Sequence, residues 1–592
     1  MLRKAVLSKS TTPKEPYSLR EWLSNILLAA VVGVGGGLGA VVFRKLIEFF
    51  YSLFYLNLIP DLTINGFEVR LIIIPVLGGL IIGPLVYRIA IETKGHGVPE
   101  LMEAVHVHRG IVRWRVLPVK LLVSSITIGS GGSAGREGPI AQIGGTIGSI
   151  LAQIFKLDEE RRKLLTCWGA GAGIAGTFNA PLGGAFFGLE VVMGRLRVRD
   201  LVPALVASTV AACVAAAILG TRPAFRTTLS DLQFDPSQLP IFATLGVIFG
   251  LLSFIWVKIF YFIEDFFDNA KIPNVFKPAI GLPIAGIFSA ILVYHYTTTT
   301  GAKLEPMHFG VMGVGYNGMD LALMGELPIL LIFLLAVLKI ISTAFTIGSG
   351  GSGGIFAPSL YIGTMFGLFF GWIFCGFPSD ISILLPFAVG GMGALFAGAA
   401  RAPLTAIFQV PEMTRAFNLF PNVAVMCGLS YVVFSILYKG SSIYTLKIEK
   451  RGVRIKEREV TAVDILESVK VSDIMTPIER VVKISPNEKL TDVLKKIEAT
   501  AGYPVVDNGR IVGIITYKDI KIALERDDIR VEEVMSRNLI VVYPDENLKI
   551  ALTKLIENDV EVLPVVTRDD ERKLLGILTR SDIMKTIAIH SG

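Results

Sequence analysis

The chain has 592 residues, of which 52% are hydrophobic and only 18% are charged, and its mean hydropathy is +0.61. This composition excludes an ordinary soluble enzyme and predicts a protein that crosses a membrane many times. The net charge of +7 at pH 7 reflects basic residues beside apolar segments. That pattern is typical of cytoplasmic loops and does not indicate nucleic-acid binding. We therefore expect an integral cell-membrane protein whose N-terminus and C-terminal tail are cytoplasmic.

Predicted membrane helices begin early in the chain. Residues 1–22 form a polar segment, and residues 23–43 contain no charged side chain and are long enough to span a bilayer. A second apolar run at 71–87 leads into the motif G-H-G-V-P at 95–99. Glycines between helices expose backbone N–H groups, and proline suits the first turn of a new helix. We predict a ligand-binding loop at this motif.

A stretch of thirteen residues occurs twice. The sequence T-I-G-S-G-G-S-A-G-R-E-G-P at 127–139 returns as T-I-G-S-G-G-S-G-G-I-F-A-P at 346–358, with nine identical positions at a constant offset of 219. Apolar segments flank both copies, so their irregular backbone must be buried in protein or line a cavity. A glycine-rich loop that opens a helix presents unpaired N–H groups and the positive end of the helix dipole. The repeat predicts an anion pathway through the membrane.

A further pair of segments shows that the duplication extends over whole helices. G-A-G-A-G-I-A-G-T-F-N-A-P-L at 169–182 pairs with G-M-G-A-L-F-A-G-A-A-R-A-P-L at 391–404, at an offset of 222. We predict one membrane repeat at 23–230, a second at 231–446, and a charged linker at 447–470. Short, interrupted membrane segments at matching places in two halves favour a binding site where the repeats meet.

The tail is polar and contains its own repeat. Residues 471–592 carry 18 basic and 21 acidic side chains. V-S-D-I-M at 471–475 recurs as V-E-E-V-M at 531–535, and G-I-I-T-Y-K-D at 513–519 recurs as G-I-L-T-R-S-D at 576–582. Apolar strands alternate with helical patterns within each copy, so we predict two α/β units. Their predicted bounds are 471–528 and 529–592.

Four motifs carry a resemblance to a known family. G-H-G-V-P at 95–99, G-R-E-G-P at 135–139, G-I-F-A-P at 354–358 and S-I-Y at 442–444 resemble those of the CLC family of chloride channels and transporters. The tail resembles a pair of CBS domains. The resemblance implies an all-α polytopic membrane protein built from inverted repeats of membrane helices, with a cytoplasmic α/β tandem CBS module. It further implies a homodimer in the lipid bilayer whose subunits each conduct chloride.

The resemblance assigns roles to individual residues. Glu137 stands where the family places its gating glutamate, which competes with chloride for the outer site and swings away when protonated. Backbone N–H groups of Ile355 and Phe356, with the Tyr444 hydroxyl, are expected to hold chloride by partial charges. The full set implied for anion binding is His96, Gly97, Arg136, Gly138, Ile355, Phe356 and Tyr444. His96 replaces the usual serine, which leaves chloride selectivity open, although an imidazole N–H is also a donor.

Position 191 bears on the mode of transport. Val191 stands where proton-coupled members usually carry an inner glutamate, which favours a passive channel. The alternative is a proton-coupled chloride antiporter in which the neighbouring Glu190, or water, supplies the inner proton route. Glu190 and its counterpart Glu412 have a second interpretation, in which they cap helices.

The resemblance also implies that the CBS pair binds an adenine nucleotide, ATP, ADP or AMP. The residues that this assigns are Tyr503, Pro504, Thr516, Asp519, Thr579 and Asp582. The chain contains no G-x-x-x-x-G-K-[ST] motif, so we expect ATP to be sensed and not hydrolysed. The alternative is a dimerising scaffold without a ligand.

A membrane metalloprotease with a CBS tail is the rival class. Such an enzyme needs H-E-x-x-H for zinc, and the six histidines never form that pattern. His106 and His108 have no third ligand nearby in sequence, so we expect no metal site, no catalytic residue and no resident cofactor. A magnesium channel would need an oxygen-rich pore, which is the opposite polarity to loops of N–H donors.

Overall fold

The computed structural model describes residues 19–59, 62–220, 225, 229, 232–301, 304–453, 466–467, 469–496, 502–516, 519–521 and 529–591. Most of the predicted N-terminal segment and the middle of the predicted linker lie outside these residues. The chain forms two compact units, Met1–Glu457 and Arg458–Gly592.

The first unit is helical. Its first half contains α1 (Leu19–Tyr51), a hairpin of β1 (Thr63–Ile64) and β2 (Phe67–Glu68), α2 (Arg70–Arg88), α3 (Val98–His106), α4 (Val116–Gly129), α5 (Glu137–Ile154), α6 (Glu159–Phe178), α7 (Pro181–Phe186), which continues as a π-helical turn (Phe187–Met193), and α8 (Val198–Leu219). Its second half contains α9 (Leu239–Asn269), α10 (Lys277–Gly281), α11 (Pro283–Thr300), α12 (Tyr316–Leu323), α13 (Ile329–Gly348), α14 (Phe356–Phe374), α15 (Leu385–Ala400), α16 (Pro403–Thr414), α17 (Phe420–Leu437) and α18 (Thr445–Lys450). Within the part of the chain that the structure describes, nine helices are long and apolar enough to cross a membrane.

Glycines end the helix that precedes each repeated loop. Gly131 follows α4 with φ +101° and Gly350 follows α13 with φ +106°, a conformation that costs glycine little and strains other residues. The N–H groups of these two glycines donate to carbonyls in the last turn of their helices. The chain therefore turns sharply at equivalent points, 219 positions apart, and each loop leads into the next helix.

Reciprocal hydrogen bonds relate the two copies of the loop. The Ser133 N–H donates to the Thr346 hydroxyl oxygen at 3.0 Å, and the Ser352 N–H donates to the Thr127 hydroxyl oxygen at 3.3 Å. Thr127 and Thr346, like Ser133 and Ser352, are 219 positions apart, so the same bond forms twice with the copies exchanged. The two repeats pack with local two-fold symmetry.

The symmetry is closest at one pair of glycines. Gly135 and Gly354 exchange backbone hydrogen bonds, with N···O distances of 2.7 and 2.6 Å, in an antiparallel bridge. Because these residues are equivalent in the repeat, the local axis passes between them. The helices that follow, α5 and α14, therefore begin beside each other in the interior.

The second unit is the α/β tail. Its elements are α19 (Val471–Ile474), β3 (Thr476–Pro477), α20 (Leu490–Lys496), β4 (Tyr503–Asp507), β5 (Arg510–Ile515), α21 (Leu548–Glu557), β6 (Val562–Val566), β7 (Leu574–Thr579) and α22 (Arg580–Ser591). β4 pairs antiparallel with β5, and a three-stranded sheet has the order β3-β7-β6. Each hairpin has a separate apolar core, with Val493 in one and Leu555 in the other. The sequence repeat therefore corresponds to two similar units.

Candidate anion pathway

The Glu137 carboxylate lies at the N-terminus of α14. It is completely buried. One carboxylate oxygen accepts from the backbone N–H of Ala357 at 3.2 Å, and the other accepts from the Tyr316 hydroxyl at 2.9 Å. A helix N-terminus attracts negative charge through its free N–H groups and dipole. Glu137 belongs to the first repeat and α14 to the second. The Glu137 carboxylate thus occupies a helix N-terminus that would otherwise bind a free anion.

Two further donors lie next to this carboxylate in the chain. No described residue accepts a hydrogen bond from the backbone N–H of Ile355 or of Phe356. Ile355 has φ −104° and ψ −4°, and Phe356 is the first residue of α14, so neither amide has a partner one turn earlier. Both residues are buried. The arrangement therefore provides a buried pair of N–H groups that no described residue accepts from.

Tyr444 and His96 form a second group of polar atoms without partners. Their ring centroids are 5.6 Å apart, and both side chains are almost completely buried. Neither ring nitrogen of His96 has a hydrogen-bond partner within the described part of the chain. No described residue bonds the Tyr444 hydroxyl either, although its backbone N–H donates to the Ser442 hydroxyl oxygen at 3.2 Å. Buried polar groups are nearly always paired, so these atoms point to a missing partner such as an anion or water.

Gly97 and Gly138 act through the space they leave. Gly97 has φ +82°, and a side chain there would come within 2.7 Å of the Gln142 amide oxygen. A side chain at Gly138 would overlap the backbone carbonyl of His96. These glycines allow the first turns of α3 and α5 to approach the His96 loop closely. Gly97 and Gly138 therefore lie next to each other, and the backbone of Gly138 also contacts that of His96.

Arg136 opens onto a cavity of about 340 Å³. We call this the arginine cavity; its polar lining residues are Arg44, Arg136, Thr177, Asn179, Tyr316, Asn317 and Asp320. The Arg136 guanidinium lies over the Tyr316 ring, 5.1 Å from its centroid, and the Tyr316 hydroxyl binds Glu137. The arginine cavity therefore reaches Tyr316, the partner of Glu137, and its lining includes two arginines.

A cavity of about 310 Å³ ends at Tyr444 instead. We call this the histidine cavity; its lining includes Met102, His106, Glu190, Val191, Arg401, Tyr431, Ser442 and Tyr444. It shares no lining residue with the arginine cavity. Tyr316 of the arginine cavity contacts Glu137, and Tyr444 of the histidine cavity contacts His96.

Glu190 is occupied by backbone contacts. Its carboxylate accepts from the N–H of Leu404 at 3.0 Å, and from the N–H and hydroxyl of Thr405 at 2.6 and 2.7 Å. The equivalent Glu412 accepts from the N–H groups of Leu182 and Gly183 at 3.0 and 2.8 Å. Each glutamate caps the first turn of a helix in the other repeat. This geometry leaves Glu190 poorly available as a proton carrier, although it lines the histidine cavity.

Two buried lysines, not predicted from the sequence, hold the loops before α3 and α12 in place. Lys120 donates to the carbonyls of Thr93 and Gly95 at 3.1 and 3.0 Å, and Lys339 donates to those of Gly310 and Gly313 at 2.7 and 3.0 Å. Both side chains are completely buried. A signal was present, because each is a lone charge in an apolar segment and the two are again 219 positions apart. Tyr316, which binds Glu137, was also missed; it follows G-V-G at 313–315, the counterpart of G-H-G at 95–97, and both pairs of glycines have positive φ.

The segment after Tyr444 is fixed to α3. Lys447 and Arg451 both pair with one carboxylate oxygen of Glu100, at 2.9 and 3.0 Å, and Arg451 also pairs with Glu103 at 2.8 Å. Glu100 is buried near the start of α3. Any displacement of α18 therefore acts on the helix that begins at the His96 loop.

A cavity of about 830 Å³ lies within the tail. Tyr503, Thr579 and Asp582, three of the six predicted nucleotide contacts, line it. So do four basic side chains, Arg480, Lys496, Arg580 and Lys585. Its size suits a drug-sized ligand, and its cations fit a phosphate-bearing one.

The remaining predicted contacts belong elsewhere in the tail. Thr516 and Asp519 form the same turn as Thr579 and Asp582, with a hydroxyl-to-carboxylate distance of 2.6 Å in both. Neither Thr516 nor Asp519 lines the large cavity, and neither does Pro504, which lies in β4. The six predicted nucleotide contacts therefore divide into three that line the large cavity and three that do not.

Comparison with protein families matches residues 78–435 to the voltage gated chloride channel family and residues 471–526 and 531–589 to CBS domains. The H(+)/Cl(−) exchange transporter ClcA of Vibrio cholerae serotype O1 is 34% identical over 367 residues, which is 61% of this chain and 75% of that protein. The chloride channel protein CLC-f of Arabidopsis thaliana is 28% identical over 594 residues, covering 86% of this chain and 72% of that protein.

Solved structures agree with these matches. A slow cyanobacterial Cl−/H+ antiporter has a TM-score of 0.62 and 28% identity, covering 74% of this chain and 99% of that one. A eukaryotic CLC transporter, at 20% identity and a TM-score of 0.56, covers 95% of this chain and 99% of that one, and shows the fold alone. The predicted family and fold class are confirmed.

Proposed function

The chain belongs to the voltage gated chloride channel family, and on this basis we propose that it exchanges chloride for protons. It is a multi-pass membrane protein that carries out CLC-type chloride transport, with a C-terminal CBS module that is cytoplasmic in the family. The family consists of channels and transporters, not enzymes. What is proposed is the coupling to protons, the residues that achieve it, and control by a nucleotide.

Chloride binds, in this proposal, between the free amides of α14 and the Tyr444 hydroxyl. Ile355 and Phe356 supply N–H groups, Tyr444 supplies an O–H, and His96 supplies an imidazole N–H, all from buried positions without other partners. Partial charges hold the ion without a full countercharge, so the ion can leave again. His96 stands where the family usually has a serine, and its imidazole keeps a hydrogen-bond donor at the site. The selectivity for chloride over another small anion stays open.

Glu137 both gates the path and carries the proton. Its carboxylate competes with chloride because it already accepts from Ala357 at the α14 N-terminus. Protonation removes the negative charge that the amide and the helix dipole stabilise, so the side chain leaves and chloride enters. One carboxyl that alternates between holding a proton and excluding chloride couples the two movements. This contact between Glu137 and α14 is the observation that carries the proposal.

The two cavities serve as the mouths of the pathway. Tyr444 and Ser442, which line the histidine cavity, immediately precede α18, and the chain then runs toward the cytoplasmic module. We therefore assign the histidine cavity to the cytoplasmic side and the arginine cavity to the opposite side. Arg44 and Arg136 attract anions to the outer mouth.

A passive chloride channel is the second candidate. Val191 favours it, and one relative that aligns with 86% of this chain is named a chloride channel. Exchange is preferred because relatives of 34% identity are named H(+)/Cl(−) exchangers and the solved structure at 28% identity is a Cl−/H+ antiporter. The exchanger was the alternative interpretation of the sequence.

The reversal potential of the reconstituted protein separates the two candidates. With opposed chloride and proton gradients across liposomes, an exchanger reverses at a potential displaced from chloride equilibrium by the pH difference. A passive channel reverses at chloride equilibrium at every pH, which would reject exchange and retain chloride transport. Protein-free liposomes give the baseline leak.

The CBS pair binds an adenine nucleotide in this proposal, at the tail cavity. Thr579 and Asp582 lie beside the ribose and phosphates, Tyr503 lies beside the base, and the four basic residues face the phosphates. A bound nucleotide acts on transport through the linker, α18 and the Glu100 ion pairs. Assembly as a homodimer in the bilayer stays a prediction.

A further inference from the structure

The exchange proposed above requires a proton acceptor at the cytoplasmic mouth. Protons that move between the cytoplasm and Glu137 must pass the histidine cavity, where Val191 has no titratable group. Glu190 lines that cavity, but three donors hold its carboxylate. These bonds tie the carboxylate to the first turn of α16 and point it away from a role in carrying protons through the cavity. Besides a route through water, a titratable side chain with a free ring or carboxyl atom in this cavity is better placed for the role than Glu190.

His106 lies in the same cavity with one ring nitrogen available. It is the last residue of α3 and lines the cavity together with Val191 and Tyr444. Its Nε2 lies 3.1 Å from the backbone carbonyl of Val192. Because a carbonyl only accepts, Nε2 carries the hydrogen and Nδ1 carries the lone pair. Nδ1 has no hydrogen-bond partner in the described part of the chain.

The other titratable groups around His106 are less suited. Arg401, Tyr431 and Tyr444 line the cavity, and the ordinary pKa values of arginine and tyrosine lie near 10 or above. Burial lowers the pKa of His106, and the charges of Lys163 on α6 and Arg195 after the π-helical segment lower it further. Both pair with glutamates, Lys163 with Glu159 at 2.8 Å and Arg195 with Glu160. Histidine is the side chain that ordinarily changes charge between pH 5 and 8.

We propose that His106 is the residue that loads and unloads protons on the cytoplasmic side. A hydronium ion in the cavity gives its proton to Nδ1, so that an N–H bond forms as an O–H bond breaks and water remains. Nε2–H stays bonded to the Val192 carbonyl throughout. The imidazolium then returns the Nδ1 proton to cavity water on the Tyr444 side, and the reverse steps release protons to the cytoplasm.

The position of His106 along α3 fits a role in the histidine cavity and not a role at Glu137. From Gly97, where α3 starts, to His106 there are nine rises of about 1.5 Å, which places it roughly 14 Å along the helix. The chloride site contacts the start of α3 through His96, so His106 lies at the far end. A substitution there changes proton loading without removing a chloride ligand.

His108 provides a matched control. It lies two residues further on, its side chain is 59% exposed, and its Nε2 lies 3.8 Å from Glu103. It does not line the histidine cavity. The two histidines share a helix end and a chemistry but differ in access to the pathway.

The test uses full-length protein in liposomes and measures proton and chloride flux together. His106→Gln keeps an N–H that reaches the Val192 carbonyl but cannot be protonated near neutral pH. We expect it to lower the proton flux per chloride at least tenfold while chloride flux persists, and we expect His108→Gln to match the wild type. His106→Glu, which restores a titratable group, is expected to recover coupling.

The results separate this inference from the exchange on which it rests. A wild type that reverses at chloride equilibrium rejects exchange and the role of His106 together. A coupled wild type whose His106→Gln variant is equally coupled rejects the role of His106 alone. His106→Asn serves as the second variant with the same expectation should His106→Gln fail to fold, as judged by gel filtration.

Discussion

Replacing Glu137 with glutamine is the sharpest test of how the gate and chloride compete. The substitution keeps the size of the side chain and removes its charge and its proton. In the wild-type protein the Glu137 carboxylate accepts two hydrogen bonds, from the Ala357 N–H at 3.2 Å and from the Tyr316 hydroxyl at 2.9 Å. Bonds to a charged acceptor contribute about 1.5–3 kcal/mol each, and a neutral one about 0.5–1.5. Glutamine offers one accepting oxygen, so its side chain is held about 2–4 kcal/mol less strongly.

This difference translates into chloride affinity. Since about 1.4 kcal/mol corresponds to a factor of ten, the Glu137→Gln protein should bind chloride at least tenfold more tightly in a calorimetric titration. Its transport should no longer depend on pH, because the side chain has no proton to gain. Unchanged chloride affinity together with an unchanged pH response would refute the competition. Tyr316→Phe, which removes one bond and leaves the charge, should give a smaller gain in affinity and retain the pH response.

Two further predictions concern sites away from the gate. Glu190→Gln weakens the cap on α16 by about 1–3 kcal/mol. The melting temperature of the detergent-solubilised protein should therefore fall, while proton coupling is retained. Lost coupling in a folded variant would make Glu190 the proton carrier. Asp582→Ala should weaken ATP binding to the full-length protein at least tenfold in calorimetry, while the matched Asp519→Ala leaves it within about twofold. Equal losses in both variants, or no ATP binding to the wild type, would contradict the assignment of the tail cavity.

The repeat made the centre of the molecule predictable from sequence. Thr127 and Thr346 lie at a fixed offset, and in the structure each accepts a hydrogen bond from the other copy's serine. An internal repeat with nine of thirteen positions identical favours the same local fold in both copies, so the helix starts at Glu137 and Phe356 could be expected to meet. The free amides at Ile355 and Phe356 follow from the same reasoning, because a helix start leaves N–H groups unpaired.

Features that depend on packing between distant segments were less accessible. The sequence left Glu190 open between a proton carrier and a cap, and only the positions of Leu404 and Thr405 show which donors reach it. Tyr316 begins its helix after Gly315 as Val98 does after Gly97, and because valine has no hydroxyl the first repeat gives no indication of a contact with Glu137. In the tail, Thr516 and Thr579 begin identical turns, and only the surrounding cavity distinguishes them.

The most direct measurement is the position of a heavy halide in crystals of the Glu137→Gln protein. Bromide scatters anomalously and binds where chloride does. We expect an anomalous peak within hydrogen-bond distance of the Ile355 and Phe356 amides and the Tyr444 hydroxyl. Bromide bound only at surface lysines or arginines, with those amides empty, would contradict the claim that main-chain groups at paired helix starts hold the transported anion.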